Sequence, residues 1–253
     1  MQLADRVTIV TGAARGIGLA VARRLAAEGA VVVMGDVDGD ALAAAAAGID
    51  GPRAADVVAV EGDLSTRPGA ADLVDTARER FGRVDVLVNT AGGGVIRDTL
   101  AHTEETLRET IDRNLWTTIY CTLEVLPVMV GQRHGRIVNI GAESVRNGLF
   151  QHAIYNAAKG GVHGLTTGLA REFVGDGITV NTVAPSMVAT EQVVAILGDP
   201  ELAPLLDRLT ATIPAGRPAE VGEVASLVAY LASDEATFIT GQVVSVNGGS
   251  SML

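Results

Sequence analysis

Tyr155 and Lys159 are the side chains whose types and spacing could carry a proton-coupled reaction. They stand one helical turn apart and so share a helix face. A free phenol titrates near pH ~10 and is a poor base at neutral pH. A neighbouring ammonium stabilises the phenolate and draws that value toward the working range. Such a pair could take the hydroxyl proton of an alcohol while its hydride leaves for an acceptor; in reduction the phenol donates. The same spacing also suits a packed ring beside a solvated ammonium, so the chemistry depends on a hydride carrier being bound elsewhere in the chain.

Thr11-Gly12-Ala13-Ala14-Arg15-Gly16-Ile17-Gly18 supplies a place for one. It lies between an apolar run and an amphipathic stretch. Glycines there let the backbone turn sharply and approach a pyrophosphate at the N-terminus of the next helix. Eighteen residues beyond Gly18, Asp36 closes a second apolar run. A carboxylate at that point can hold both ribose hydroxyls of NAD and repels the 2′-phosphate of NADP. The residues that follow, Val37-Asp38-Gly39-Asp40, offer no cation to that phosphate. NAD is the expected cofactor, NADP the less favoured one.

The elements that must position these residues alternate from end to end. Arg6–Thr11, Ala30–Gly35, Val57–Glu61, Val84–Val88, Arg136–Ile140, Ile178–Val183 and Gln242–Val246 read as strands. They are continuously apolar, the pattern of strands buried on both faces of a parallel sheet. Helical stretches separate them: one from Gly16 to Glu28 stopping at Gly29, and one from Pro68 to Phe81 stopping at Gly82. The run Ala41–Ala47 reads as a surface helix. The expectation is an α/β fold of Rossmann type, a doubly wound parallel sheet of about seven strands with helices on both faces, as one domain over residues 1–253. Residues 186–219, with Pro200, Pro204, Pro214 and Pro218, break the rhythm after a strand's carboxyl end and read as a substrate lid.

Composition excludes several function classes. Nineteen Lys and Arg against 30 Asp and Glu give a net charge of −11, which argues against nucleic acid or an anionic membrane as partner. With 48% hydrophobic and 19% charged residues, the chain has material for a large core and is too apolar for disorder. The single Cys121 rules out an internal disulfide, and no His/Cys cluster suggests a metal. Residues 1–6 lack the features of a signal peptide, and no uncharged apolar run is long enough to span a bilayer. A cytoplasmic protein is expected.

The glycine spacing, T-G-x-x-x-G-x-G, resembles that of the short-chain dehydrogenase/reductase family. Further landmarks match in order over nearly the whole chain: Asp63-Leu64, Asn89-Thr90-Ala91-Gly92, Asn114, Tyr155-x-x-x-Lys159, Ala184-Pro185-Ser186-Met187-Val188-Ala189-Thr190, Ile239-Thr240-Gly241-Gln242 and Asn247-Gly248-Gly249. The resemblance implies that Tyr155, Lys159 and Asn114 are catalytic. Lys159 would also hold the nicotinamide ribose, and Asn114 would position a water that links Lys159 to solvent. It implies cofactor contacts from Gly12, Arg15, Gly16, Ile17, Gly18, Asp36, Asp63, Leu64, Asn89, Ala91, Gly92, Tyr155, Lys159, Pro185, Val188 and Thr190. It implies a homotetramer built by the helices near Thr103–Val130 and Tyr155–Gly175 and the last strand, with Leu115, Ile119, Leu123 and Leu126 as an apolar stripe.

Two departures stand out. Ser186 occupies the family's usual second glycine, and Ala142 occupies the place of a serine that normally donates to the substrate oxygen thirteen residues before the tyrosine. Three readings of Ala142 compete. Ser144 supplies the hydroxyl; or the substrate carries a neighbouring hydroxyl that makes the donor less necessary; or the protein binds cofactor with weak or no turnover. The pocket should be lined by Gly93–Arg97, Glu143–His152 and an apolar lid containing Val188, Val193, Val194, Ile196 and Leu197, with Arg146 and His152 as polar candidates. The expected activity is NAD-dependent interconversion of a secondary alcohol and its ketone, with a cyclic alcohol or cis-dihydrodiol as candidate substrate. The alternative is reduction of a 3-oxoacyl thioester.

Overall fold

Each continuously apolar run becomes a strand in the computed structural model, which describes residues 2–197, 207–208 and 210–252. The strands are β1 (Val7–Thr11), β2 (Val31–Asp36), β3 (Val58–Glu61), β4 (Val86–Asn89), β5 (Gly135–Ile140), β6 (Ile178–Pro185) and β7 (Val243–Val246). They form one sheet in the order β3-β2-β1-β4-β5-β6-β7, every pairing parallel. Strand ends differ from the expected ones by one or two residues, because ladder pairing rather than apolarity sets them. Every residue of β1, β4, β5 and β6 is buried, as a sheet covered on both faces requires.

The helices are α1 (Gly16–Ala27), α2 (Gly39–Ala47), α3 (Arg67–Phe81), α4 (Glu104–Ile111), α5 (Thr117–Gln132), a single turn α6 (Ser144–Asn147), α7 (Ala153–Phe173), α8 (Glu191–Leu197) and α9 (Val221–Ala232). One core cluster packs α1, α2 and α9 on one face of the sheet. A second packs α3, α5 and α7 on the other. Local signals set the helix ends. Thr66 caps α3 by accepting from Gly69 N, and Gly82, at φ 75°, stops it in the left-handed region. The long helix expected over Thr103–Val130 is interrupted, and residues Asp112–Trp116 form a π-helical turn between α4 and α5. None of these helices is long and apolar enough to cross a membrane, among the described residues.

The ends of the excursion over 186–219 are pinned together. Val188 pairs with Ala219, and Ala219 N donates to Met187 O at 2.9 Å. Residues 198–206 and 209 of the expected lid, with Pro200 and Pro204, lie outside the described residues, as do the side chains of Ile196 and Leu197.

Below the sheet, fully buried Asp85 ties the start of β4 to β1. It accepts from Val7 N at 3.0 Å and from Arg83 Nε and Nη2 at 2.8 and 2.6 Å. Asp85→Ala leaves a buried N–H unpaired and strands part-exposed arginines. Unfolding in urea is expected to show a loss of about 2–4 kcal/mol; a loss under about 1 kcal/mol would show that Arg83 and Val7 find other partners.

Candidate active site

The strand order reverses between β1 and β4, which opens a crevice above their carboxyl ends. Thr11 bridges it: its Oγ1 accepts from Thr90 N and Ala91 N, both at 3.0 Å. Gly12, at φ 63°, lets the loop turn back here, and a Cβ on it would lie 2.7 Å from Ala91 Cα. The crevice is a continuous cleft of about 1180 Å³, running from Asp36 and Asp63 to Tyr155 and Ser250. That suits a dinucleotide with a small second molecule rather than a small ligand alone.

At the nucleotide end the cleft is walled by Gly12, Arg15, Ile17, Gly18, Asp36, Asp63, Leu64, Ala91 and Gly92. Asp36 accepts from Ala14 N at 3.0 Å and Asp38 N at 3.1 Å, one on each oxygen. Its carboxylate is thereby held at the mouth of the glycine loop, with lone pairs left for ribose hydroxyls. Arg15 reaches across from that loop to pair with Asp38. The residues just after Asp36 carry no cation, yet folding brings Arg15, twenty-one residues upstream, to the neighbouring carboxylate of Asp38. The residues thus fit an NAD(P) adenosine: a glycine cradle for phosphate, a carboxylate for ribose and an apolar floor at Leu64.

At the other end stand Tyr155 and Lys159. Burial pushes the Tyr155 phenol up to about 12 and the Lys159 ammonium down to about 8. Lys159 Nζ donates to Ile140 O at 2.8 Å, which holds the ammonium in place, and burial is what raises Tyr155. The Tyr155 ring packs against Gly94, where a Cβ would come within 2.7 Å of it, and meets His152 edge-on at 6.0 Å. His152 Nδ1 donates to Phe150 O at 2.7 Å, which fixes its tautomer.

Asn114 and Lys159 both approach Gly92, where a Cβ would crowd the two. The Asn114 amide is fully engaged: Oδ1 accepts from Gly93 N, and Nδ2 donates to Gly93 O and Thr110 O. It therefore braces the Gly93 loop, and its side chain does not form cleft wall. Gly16 and Asn89 do not form wall either. Asn89 Nδ2 donates to Asn139 Oδ1 at 2.8 Å and to Thr122 Oγ1, under the floor. Pro185, Val188 and Thr190 do line the cleft, as do Gly93, Gly94, Glu143, Ser144 and Val193.

Arg146 departs from expectation. It donates to Ser245 Oγ and Val243 O on β7 and does not face the cleft. Arg97 likewise turns to Ala101 O. Ser144 donates its hydroxyl proton to Asn156 Oδ1 at 2.6 Å and accepts Asn156 Nδ2 on its carbonyl. That disfavours the reading in which Ser144 replaces the hydroxyl missing at Ala142.

Glu143 was expected only as part of the pocket lining, with no role of its own. It is buried in the cleft wall, where Ser245 Oγ and Ser251 Oγ donate to its two oxygens. These partners are more than a hundred residues away, so no local pattern announces them. His163 was missed; burial holds its imidazole down to about 4, hence neutral, against Gly141. No group of metal-ligating side chains is found among the described residues.

The geometry has clear relatives. A family model described as Enoyl-(Acyl carrier protein) reductase matches residues 12–251. The 2,3-dihydroxy-2,3-dihydro-p-cumate dehydrogenase of Pseudomonas putida is 55% identical over 255 residues, covering 100% of this chain and 97% of the relative. The chain belongs to the short-chain dehydrogenase/reductase family. Within this family it is also 38% identical to the 3-oxoacyl-(acyl-carrier-protein) reductase of Escherichia coli (strain K12), over 100% of both chains. Among solved short-chain dehydrogenase/reductase structures, a variant actinorhodin polyketide ketoreductase with NADPH superposes with a TM-score of 0.91 at 34% identity, covering 97% of each chain. This short-chain dehydrogenase/reductase is an oxidoreductase of CH–OH groups that uses a nicotinamide dinucleotide.

Proposed function

We propose that the protein is an NAD-dependent dehydrogenase that oxidises a cyclic cis-dihydrodiol to the corresponding hydroxyketone. In this reading residues 1–253 act as one domain, in the cytoplasm, as a homotetramer. The observation that carries it is the 55% identity, over the whole chain, to a dehydrogenase of a cyclic dihydrodiol. The cleft supports it. Gly12, Gly18, Asp36, Asp63 and Leu64 would hold the adenosine and pyrophosphate, with Ala91, Gly92, Pro185, Val188 and Thr190 along the nicotinamide half. When bound, the nicotinamide supplies the hydride acceptor.

The protein's own work is to orient the alcohol and move its proton. Tyr155 accepts the hydroxyl proton, and Lys159 with its charge favours the phenolate. Asn114 holds the Gly93 loop against both. Burial favours the neutral phenol, and the Lys159 charge works against it. For assembly, Leu123 of α5 and Phe238 before β7 support the tetramer, being large apolar side chains left exposed. Leu126, from the same expected stripe, packs into the core instead. Reduction of a 3-oxoacyl thioester is the second reading, favoured by the 38% identical relative.

The test is the appearance of reduced nicotinamide with purified protein, NAD or NADP, and a panel of cis-dihydrodiols, cyclic alcohols and 3-hydroxyacyl thioesters. Turnover of the diols with NAD is expected, and turnover confined to the thioesters would replace this reading by the second. In the same assay Asp36→Ala is expected to lower the NAD/NADP ratio of kcat/KM by about tenfold to a hundredfold, since two bonds to a charged acceptor are lost. An unchanged ratio would mean that Arg15, not Asp36, sets the preference.

A further inference from the structure

Ala142 presents a methyl to the cleft, and the Ser144 hydroxyl is committed to Asn156. The loop after β5 therefore brings no available hydroxyl to the substrate. Two other hydroxyls in the same cleft wall are without a partner: Ser186 Oγ and Ser250 Oγ are both shielded from solvent and unbonded among the described residues.

Their backbones place them beside the loop in question. Gly141 N donates to Val183 O at 2.8 Å and Glu143 N to Pro185 O at 3.0 Å, so the Ala142 segment runs along the end of β6, and Ser186 is the next residue. Ser186 N is itself held by Val246 O. Ser250 precedes Ser251, whose hydroxyl donates to Glu143, so the last described segment is fastened to the same loop. We infer that Ser186 and Ser250 form a subsite for the second hydroxyl of a vicinal diol, the one beside the carbon being oxidised. This inference rests on the proposed dehydrogenase reading.

The physical argument is one of unmet hydrogen bonds. A shielded hydroxyl with no partner is unfavourable. A serine turns about a single bond, and here it gives up no existing bond in turning toward a ligand. The acceptors nearby select the ligand. The Glu143 oxygens stand in this wall, while Arg146 is spent on β7 outside the cleft. A substrate carboxylate, which can only accept, would meet those acceptor oxygens with no cation from Arg146 beside them, whereas a hydroxyl, which both donates and accepts, matches two serines. The diol hydroxyl thus takes over the anchoring that a serine at 142 would have given.

The experiment compares kcat/KM for cis-1,2-cyclohexanediol and cyclohexanol in the unmodified protein, Ser186→Gly, Ser250→Ala and the double variant. Melting temperatures are recorded alongside. Each single change is expected to lower the diol/monoalcohol ratio about tenfold, the size of one neutral hydrogen bond, with melting altered little. A ratio that stays within about twofold in both single variants overturns the inference and leaves the dehydrogenase reading intact. An equal loss for both alcohols overturns it too, as a general disturbance of the cleft. A ring carboxylate whose selection is lost in the variants, with the diol ratio unchanged, would reassign the subsite to an anion. Failure of the unmodified protein to oxidise any diol defeats the underlying reading itself, whatever the variants do, and the inference falls with it.

Discussion

Tyr155→Phe is expected to slow turnover by about 10³-fold or more while leaving cofactor binding and stability almost unchanged. The ring itself packs against Gly94 and His152, and those contacts survive loss of the hydroxyl. The phenol oxygen makes no hydrogen bond to a described residue, so its removal strands no partner in the fold. What disappears is the group that receives the alcohol proton. Measurement of kcat, of reduced-nicotinamide affinity by fluorescence and of the melting temperature separates these effects. Turnover within tenfold of the unmodified protein would move the proton to another acceptor in the cleft. A large drop in melting would instead mark Tyr155 as structural.

Gly18→Ala should have an effect of comparable size through a different route. A Cβ at this position would lie 2.0 Å from Gly12 O, 2.7 Å from Gly12 C and 3.1 Å from Ala13 Cα. All three are backbone atoms, so no side-chain rotation relieves the overlap. The glycine loop has to open, and with it the cradle at the start of α1. Affinity for the dinucleotide is expected to fall about a hundredfold or more, with a stability loss of about 1–3 kcal/mol from overpacking. Gly164→Ala on α7 is the control, since nothing lies within 4 Å of its added Cβ. Binding within tenfold of normal in Gly18→Ala would mean that the pyrophosphate is held elsewhere.

The fold was legible because its signals are local. A parallel strand buried on both faces is a continuous apolar run, and Thr66, Pro68 and Gly82 mark both ends of α3 within a few residues. The nucleotide end of the cleft was legible for the same reason, since one loop and the next strand's end carry most of it. The reaction end was harder. Arg146 looked like a substrate ligand because a loop arginine before Tyr155 has no partner in sequence; its partners, Ser245 and Val243, are on the far edge strand. Glu143 looked unremarkable for the same reason. Asn89 matches a motif position, yet its side chain belongs to a polar rung beneath the floor. There Asn89, Asn139 and Thr182 are register partners across β4, β5 and β6, and Thr166 of α7 joins Asn139 to Thr182. Register between strands fifty residues apart is not written in either strand alone.

The π turn at Asp112–Trp116 makes the long segment between β4 and β5 two α-helices running out of phase. One residue more than a regular turn rotates everything beyond it by about 100°. Before the turn, α4 packs on α7; after it, α5 packs on α3 and on the sheet. Asn114 sits inside the turn, where the change of phase occurs. A single-residue insertion or deletion in α4 would therefore re-phase the brace under the Gly93 loop and leave the sheet-facing half of α5 in step.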